Sequence, residues 1–170
     1  YAYDILIARM EPENNIEMIL DGFINSNKER DLVVIGSLNT KFGKQIAEKY
    51  NDKRIKYLGF VTGIERLNSL RYFSNLYFHG HSVGGTNPSL LEAMASNALI
   101  CSHDNIFNKS ILAQDGFYFS ECNKICDLMN SISKKSFKEF TANNYKKINK
   151  LYSWDKIVDD YDTFFKNISL

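Results

Sequence analysis

The chain has 170 residues, enough for one domain with a hydrophobic core of ordinary size. Its composition is 44% hydrophobic and 24% charged, with 2 Pro and 9 Gly, which excludes a disordered chain. The formal net charge of +1 gives no general attraction to polyanions, so we expect no nucleic-acid partner. No apolar run approaches the roughly 18 residues that a membrane-spanning helix needs.

Short apolar runs alternate with helical patterns over most of the sequence. The continuous run 32–35 is typical of a parallel strand that is buried on both faces of a sheet. Strands and helices alternating at this pace predict an α/β fold, a Rossmann-like parallel sheet flanked by helices. The predicted strands are residues 3–8, 32–35, 55–61, 75–79, 98–102 and 117–120, and the predicted helices begin near Asn14, Lys41, Gly63, Pro88 and Asn108.

Two of the helical patterns give more specific expectations. Asn14 and Glu17 resemble a capping box, so the first helix should begin at Asn14 or at the next residue. In the third helix, Ile64, Leu67 and Leu70 recur at helical spacing and should face the core.

The carboxyl-terminal tail, from about residue 121, is predicted to be helical, with a break at residues 134–136. Apolar side chains form one stripe of the last helix, which must pack either on this domain or on a missing partner domain. The Asp-x-Asp pattern in residues 159–162 lies on the opposite, wet side, so we interpret it as a solvated face and not as a metal site. The stripe consists of Trp154, Ile157, Val158, Tyr161, Phe164 and Phe165.

Neither the cysteines nor the histidines predict a metal site. Cys101, Cys122 and Cys126 match no zinc or redox spacing, and we interpret them as free buried thiols of a reducing cytoplasm. At the end of a strand, the side chains of His79 and His81 would point to opposite faces of the sheet. We therefore expect polar residues at the rim of the sheet, with no metal.

Ligands of parallel α/β sheets bind at the carboxyl ends of the strands. Arg9 follows the first strand at this rim and can neutralise a diphosphate through paired hydrogen bonds. Its alternative role is a surface ion pair with Glu11 or Glu13. The other segments expected at this rim are residues 36–37, 60–62 and 79–87.

The glycine-rich loop before Pro88 is the most informative segment. Gly84 and Gly85 allow close approach of the backbone to a ligand and a positive φ. Asn87 suits the N-cap of a helix whose unpaired N–H groups and partial positive charge favour a phosphate. Glu92, about one turn into this helix, can accept hydrogen bonds from both hydroxyls of a ribose. The alternative is a tight turn with a solvated glutamate, and the loop alone favours neither.

Four segments, in the same order and spacing, match the motifs of one known family. Residues 6–15 are similar to its opening strand and Gly-Arg-Leu-x-Pro-Glu-Lys-Asn turn, and residues 55–61 to its Phe-Leu-Gly-x-Val strand. Residues 90–95 are similar to its Leu-Glu-Ala-Met-Ala helix, and residues 152–154 to the Phe-Ser-Trp start of its last helix. Over essentially its whole length, the chain resembles the carboxyl-terminal domain of retaining GT-B glycosyltransferases of family 4.

The resemblance implies an activity and a domain organisation. Residues 1–170 would form the donor domain, and the acceptor-binding amino-terminal domain would be absent. The chain lacks an initiator Met and starts directly with a predicted core strand, so we expect a fragment that binds its donor but transfers nothing alone. The donor would be a nucleoside diphosphate sugar, UDP-linked, for example UDP-N-acetylgalactosamine, with no metal or other cofactor.

The resemblance also implies a setting in the cell. The loop sequence His-Ser-x-Gly-Gly-Thr-Asn-Pro is similar to that of bacterial O-antigen and capsular polysaccharide transferases, including rhamnosyl- and N-acetylgalactosaminyl-transferases. The acceptor would be a glycan or a polyprenyl-diphosphate-linked sugar. We expect a cytoplasmic protein, and peripheral contact with the inner face of the cell membrane stays open.

Two positions depart from the family pattern. The first acid of its Glu-x7-Glu motif is Gly84 here, and its Lys is Asn14. One explanation is an active branch that binds its donor through backbone N–H groups of residues 84–87; the other is a non-catalytic nucleotide-sugar-binding module or pseudo-transferase subunit. We favour the active branch because the loop keeps its anion-binding residues. The implied donor-binding residues are Arg9, Asn14, Gly84, Gly85, Thr86, Asn87 and Glu92, with Arg9 and Gly84 at the catalytic positions.

Overall fold

The computed structural model describes residues 2–168, which form a parallel sheet with helices on both faces. The predicted Rossmann-like fold class is therefore confirmed. The strands are β1 (Tyr3–Ile7), β2 (Asp31–Ile35), β3 (Ile55–Gly59), β4 (Tyr77–His79), β5 (Ile100–His103) and β6 (Phe117–Phe119). The helices are α1 (Ile16–Ile24), α2 (Lys41–Lys49), α3 (Ile64–Phe73), α4 (Pro88–Ala95), α5 (Ile106–Leu112), α6 (Cys122–Ser131), α7 (Lys138–Leu151) and α8 (Trp154–Ile168).

The strand order is β3-β2-β1-β4-β5-β6, so the chain runs outward from β1 to β3 and then returns to the other side of β1. Ile5 of β1 is in register with Val33 on one side and with Tyr77 on the other. The loops after β1 and β4 therefore diverge at the point where the direction of winding reverses. In sheets of this type, that crevice is where ligands bind.

Alternate residues of the central strands supply two cores, one on each face of the sheet. Leu6 and Phe78 are fully buried in the core that contains Phe23 of α1. Ile5 and Tyr77 are fully buried in the core on the other face, under α4. Because both faces are covered, the strands have continuous apolar runs, and this is why they were predictable from the sequence.

The first helix begins where expected, but its capping differs from the prediction. Its first residue is Ile16, and Asn15 at the N-cap has a left-handed conformation with φ of 49° and no side-chain capping bond. Asn14 lies in a preceding 3-10 turn, where it is buried. The predicted capping box of Asn14 and Glu17 is therefore wrong, because the side chain of Asn14 bonds elsewhere.

Helix α3 faces the core differently from the prediction. Leu67 and Leu70 are half-buried as expected, but Ile64 is 52% exposed, so its predicted inward position is wrong. The residue of this helix that is buried is Arg71, at 1% exposure. The buried face of α3 therefore carries a charged side chain, Arg71, which needs a partner in the interior.

The carboxyl-terminal tail is helical, and the predicted break is a 3-10 turn at Lys134–Ser136. In α8 no residue is buried against residues 2–168, and Trp154 and Tyr161 of the apolar stripe are 79% and 61% exposed. Asp159 and Asp162 are exposed, as predicted, but most of the apolar stripe is exposed too, so exposure does not distinguish the two faces. None of the helices in the described range is long and apolar enough to cross a bilayer.

All three cysteines are free, as predicted. Cys101 is fully buried, whereas Cys122 and Cys126 are only half-buried, so the prediction of buried thiols holds for the first alone.

Candidate functional site

A cavity of about 520 Å³ opens at the carboxyl ends of β1, β2 and β4, beside the start of α4. It lies at the point where the winding of the sheet reverses. Most of the segments predicted at the rim line this cavity, whereas Thr62 and residues 82–86 do not. The predicted residues that line it are Arg9, Asn14, Gly36, Ser37, Phe60, Val61, His79, Gly80, His81, Asn87 and Glu92.

Helix α4 starts as predicted, with Pro88 in its first position and Asn87 as its N-cap. Asn87 Oδ1 accepts a hydrogen bond from the backbone N–H of Ser89 at 2.9 Å. The N–H groups of Leu90 and Leu91 donate to the carbonyl of Asn87 at 3.0 and 3.3 Å. The sequence predicted unpaired N–H groups in this first turn. That prediction is wrong, because these groups donate to Asn87. What the helix offers an anion here is the positive end of its dipole.

The loop before α4 has unpaired backbone N–H groups, whereas those in the first turn of the helix are bonded. Within residues 2–168, the N–H groups of Gly84, Gly85 and Thr86 donate to no protein acceptor. Gly84 has a φ of 84°, as predicted for a position that favours glycine, whereas Gly85 has no positive φ. All three residues are exposed and lie outside the cavity lining. The loop therefore presents three consecutive donors beside the start of α4.

Arg9 is an exposed cation of the cavity lining. Within the described part of the chain it makes no ion pair with Glu11 or Glu13, the alternative considered from the sequence. Its carbonyl oxygen accepts a hydrogen bond from Asn14 Nδ2 at 2.9 Å, which fixes the turn after β1. The backbone of Arg9 is thus fixed at the rim, and its exposed guanidinium group is open to a ligand.

His79 and His81 line the same cavity, with ring centroids 6.2 Å apart. The prediction that their rings point to opposite faces is wrong. Residues two apart in an extended strand point to the same face, so the prediction misapplied the alternation of side chains at the end of β4. A Cβ atom at Gly80 would lie 1.9 Å from the carbonyl oxygen of Asn14, so only glycine allows this close packing of the two loops.

His79 is buried in this lining at 4% exposure, and its Nε2 has no hydrogen-bond partner in residues 2–168. Burial, together with the nearby His81 and Arg71, lowers the pKa of His79 to about 3. The imidazole is therefore neutral at neutral pH and presents an unpaired nitrogen to the interior of the site.

Arg71, which the sequence analysis missed, forms the floor of the cavity together with Glu92. Its Nη2 lies 2.6 Å from Glu92 Oε2, and its Nη1 donates to Asn68 Oδ1 at 3.0 Å. Glu92 is therefore ion-paired with Arg71 and is not simply a solvated glutamate, the alternative considered from the sequence. The sequence held one signal for this pair: Arg71 lies four residues after Leu67, on the inward face of α3, where a charge requires a partner.

Within residues 2–168, no three His, Cys, Asp or Glu side chains come together in a group that could hold a metal ion.

No model of a known protein family matches the sequence, and no curated protein matches it in a sequence comparison. Solved structures match its fold. The C-terminal domain of a glycosyl transferase group 1 family protein, LpcC, from Francisella tularensis is 19% identical, with a TM-score of 0.70 over 89% of this chain and 87% of that one. HepE from Anabaena, solved in complex with UDP-glucose, is 12% identical, with a TM-score of 0.78 over 99% of this chain and 49% of that one.

A third similar structure is that of a TarM variant from S. aureus, solved with UDP among its ligands. It is 19% identical, with a TM-score of 0.75 over 96% of this chain and 35% of that one. The chain has the fold of a Rossmann-like GT-B half. It spans half or less of HepE and TarM, and at these identities the likeness is one of fold.

Proposed function

We propose that this chain is the donor-binding domain of a glycosyltransferase that uses a nucleoside diphosphate sugar. The observation that carries the proposal is the cavity at the winding reversal, which gathers a cation, Arg9, the positive end of α4 and a carboxylate, Glu92. These groups match the diphosphate and the ribose of such a donor. The complexes of the similarly folded HepE and TarM with UDP-glucose or UDP support the same ligand class.

In this proposal the diphosphate lies between Arg9 and the start of α4. The first-turn N–H groups of α4 are bonded to Asn87, so hydrogen bonds to the phosphates come from the free N–H groups of Gly84, Gly85 and Thr86. During transfer, the bond from the anomeric carbon to the diphosphate oxygen breaks, a bond to the acceptor oxygen forms, and the proton of the acceptor hydroxyl passes to the departing diphosphate. Arg9 and the helix dipole then stabilise the negative charge that develops on the departing diphosphate.

The nucleoside is held by the remainder of the lining. Glu92 accepts hydrogen bonds from the ribose hydroxyls. Phe60, which is 78% exposed and lines the cavity, offers an apolar ring on which the base can stack.

We further propose the finer assignments that the motif resemblance implies. The transfer retains the anomeric configuration and needs no metal, and the donor is UDP-linked, for example UDP-N-acetylgalactosamine. The acceptor is a glycan or a polyprenyl-diphosphate-linked sugar of a bacterial surface polysaccharide, bound by a separate amino-terminal domain. The protein acts in the cytoplasm. The similarity of residues 6–15, 55–61, 90–95 and 152–154 to the family motifs supports these assignments.

A second candidate is a non-catalytic module that binds a nucleotide sugar. Two observations favour it: Gly84 has no side chain at the position of the first acid, and both polar atoms of Asn14 are bonded to protein. The two candidates share the ligand and differ in chemistry. Donor hydrolysis, assayed after the domain is rejoined to its natural amino-terminal half, separates them, because complete inactivity with several nucleotide sugars favours the module.

Calorimetry with UDP tests the donor site. We expect Arg9→Ala to weaken UDP binding about tenfold or more, since hydrogen bonds to a charged group contribute about 1.5–3 kcal/mol. Arg66→Ala, an exposed arginine of α3 outside the cavity, should bind like the wild type. Equal affinities for wild type and Arg9→Ala would remove Arg9 from the site.

A thermal-shift panel of UDP-, GDP- and dTDP-sugars tests the choice of nucleotide. A ligand at about 100 times its Kd stabilises the fold by roughly 2.7 kcal/mol, which moves the midpoint visibly. We expect the largest shift with a UDP-sugar. The absence of any shift with all three classes would overturn the proposed function.

A further inference from the structure

The ion pair at the floor of the cavity is asymmetric. Arg71 Nη2 lies 2.6 Å from Glu92 Oε2, and the side-chain exposures are 1% for Arg71 and 41% for Glu92. The other carboxylate oxygen of Glu92, Oε1, accepts no hydrogen bond from residues 2–168. One oxygen of Glu92 is thus tied to Arg71, the other has no protein partner in residues 2–168, and both residues line the cavity.

The guanidinium group of Arg71 is held from several sides. Its Nη1 donates to Asn68 Oδ1 at 3.0 Å, and its Nη2 lies 3.5 Å from Ser89 Oγ. The group also lies over the ring of Tyr77, 5.9 Å from its centre, and the Tyr77 hydroxyl lies 2.8 Å from the same Ser89 oxygen. Because these contacts fix the cation, the bond to Glu92 fixes the direction of a carboxylate that would otherwise rotate freely at the surface.

We propose that Arg71 is a positioning residue for the donor nucleotide: it holds Glu92 Oε2 so that Oε1 faces the hydroxyls of the ribose. This inference rests on the proposed function and adds the residue that makes the ribose contact selective. An acceptor fixed before the ligand arrives loses less conformational freedom on binding. A site built to bond a hydroxyl also rejects an analogue that lacks it.

The decisive measurement is the preference for UDP over 2′,3′-dideoxyuridine diphosphate, which lacks both ribose hydroxyls. The 170-residue chain is titrated with each nucleotide in a calorimeter as wild type, Arg71→Met, Arg71→Lys and Arg66→Met. We expect the wild type to prefer UDP by about tenfold or more, the range for hydrogen bonds to a charged acceptor. Arg71→Met should lose most of this preference, and the exposed control Arg66→Met should keep it.

The ratio of the two affinities separates positioning from a merely structural role. If Arg71 only stabilised the fold, its loss would weaken both nucleotides equally and leave the preference unchanged, which overturns the inference. Arg71→Lys keeps a cation but not the planar fork that reaches Glu92, Asn68 and Ser89 together, so its preference should also fall. If Arg71→Met does not fold, Arg71→Lys decides the question in the same way.

The same titrations distinguish failure of the proposed function from failure of the role proposed for Arg71. If the wild type binds neither nucleotide, the proposed function falls. If it binds both equally, the donor site stands, but Glu92 does not contact the ribose and the role of Arg71 is overturned.

Discussion

Asn14 Oδ1 lies 3.0 Å from His81 Nδ1, while Asn14 Nδ2 donates to the carbonyl oxygen of Arg9. One buried side chain thus joins the turn after β1 to the loop after β4. The same two segments are joined by Asn15 Nδ2, which donates to the Gly80 carbonyl at 2.7 Å, and by the backbone N–H and hydroxyl of Ser82, which donate to the Glu13 carbonyl at 3.1 and 2.9 Å. These bonds set the spacing of the two walls of the cavity.

Asn14→Ala should destabilise the fold by about 1–3 kcal/mol, because it removes both hydrogen bonds of a buried side chain that joins two loops. Urea denaturation of the variant and the wild type measures this difference. The control is Asn51→Ala, at an exposed position, which should stay within about 0.5 kcal/mol of the wild type. Equal midpoints for Asn14→Ala and Asn51→Ala would contradict the role given to Asn14.

Gly80→Ala should be among the most damaging small substitutions in the chain. Its Cβ atom would lie 1.9 Å from a backbone oxygen of Asn14, so one loop must move. We expect a loss of about 3 kcal/mol or more, at the upper end of overpacking effects. Gly85→Ala, where an added Cβ meets nothing within 4 Å, should change the thermal midpoint little. The expectation fails if the two variants unfold at the same temperature.

The Arg71–Glu92 pair should respond unequally to removal of its two members. Glu92→Ala leaves a buried guanidinium without its carboxylate, at a cost of about 3 kcal/mol. Arg71→Met leaves a carboxylate that water can reach and fills the buried space with an apolar chain, so it should cost clearly less. Chemical denaturation of both variants checks the order, and the reverse order would contradict it.

The stability of the chain should fall in acid partly because of His79. The pKa of His79 is lowered to about 3 in the fold, whereas an unfolded histidine titrates near 6.5. Between these values the unfolded chain binds the proton and the folded chain does not. The free energy of unfolding is therefore unaffected by His79 titration above pH 6.5. It decreases as the pH falls from 6.5 toward 3, by at most about 1.4 kcal/mol per pH unit.

Urea denaturation at pH 7, 6 and 5 measures this term when wild type is compared with His79→Gln, which cannot titrate in this range. The wild type should lose stability more steeply than the variant. Parallel curves for the two proteins would show that His79 titrates normally in the fold.

Phe60→Ala should weaken UDP binding without affecting the fold. The ring is 78% exposed, so its removal costs little core packing, whereas base stacking on an aromatic ring contributes about 1–3 kcal/mol. We expect a loss of affinity of about fivefold or more by calorimetry, with an unchanged thermal midpoint. Ile64→Ala, at a 52% exposed position outside the cavity lining, is the matched control. Unchanged UDP affinity in Phe60→Ala would place the base elsewhere.

The predictable parts of this protein are those that depend on neighbours in sequence. The strands follow from continuous apolar runs, and the start of α4 follows from Asn87 and Pro88, which act within one turn. The roles of Asn14 and Arg71 depend on partners 67 and 21 residues away, which no local pattern contains. The sequence therefore predicted the rim of the site but not the side chains that hold it in shape.

The pairing of β1 with β4 has a further consequence for how the molecule responds to its ligand. Ile5 and Tyr77 are in register at this seam, yet they belong to segments separated by the whole β2–α3 part of the chain. The cavity borders both segments, so it exists only while they are paired. If a nucleotide binds there as proposed, its binding free energy adds to the work of separating these two strands. We therefore expect the ligand to slow amide hydrogen exchange most strongly along this seam.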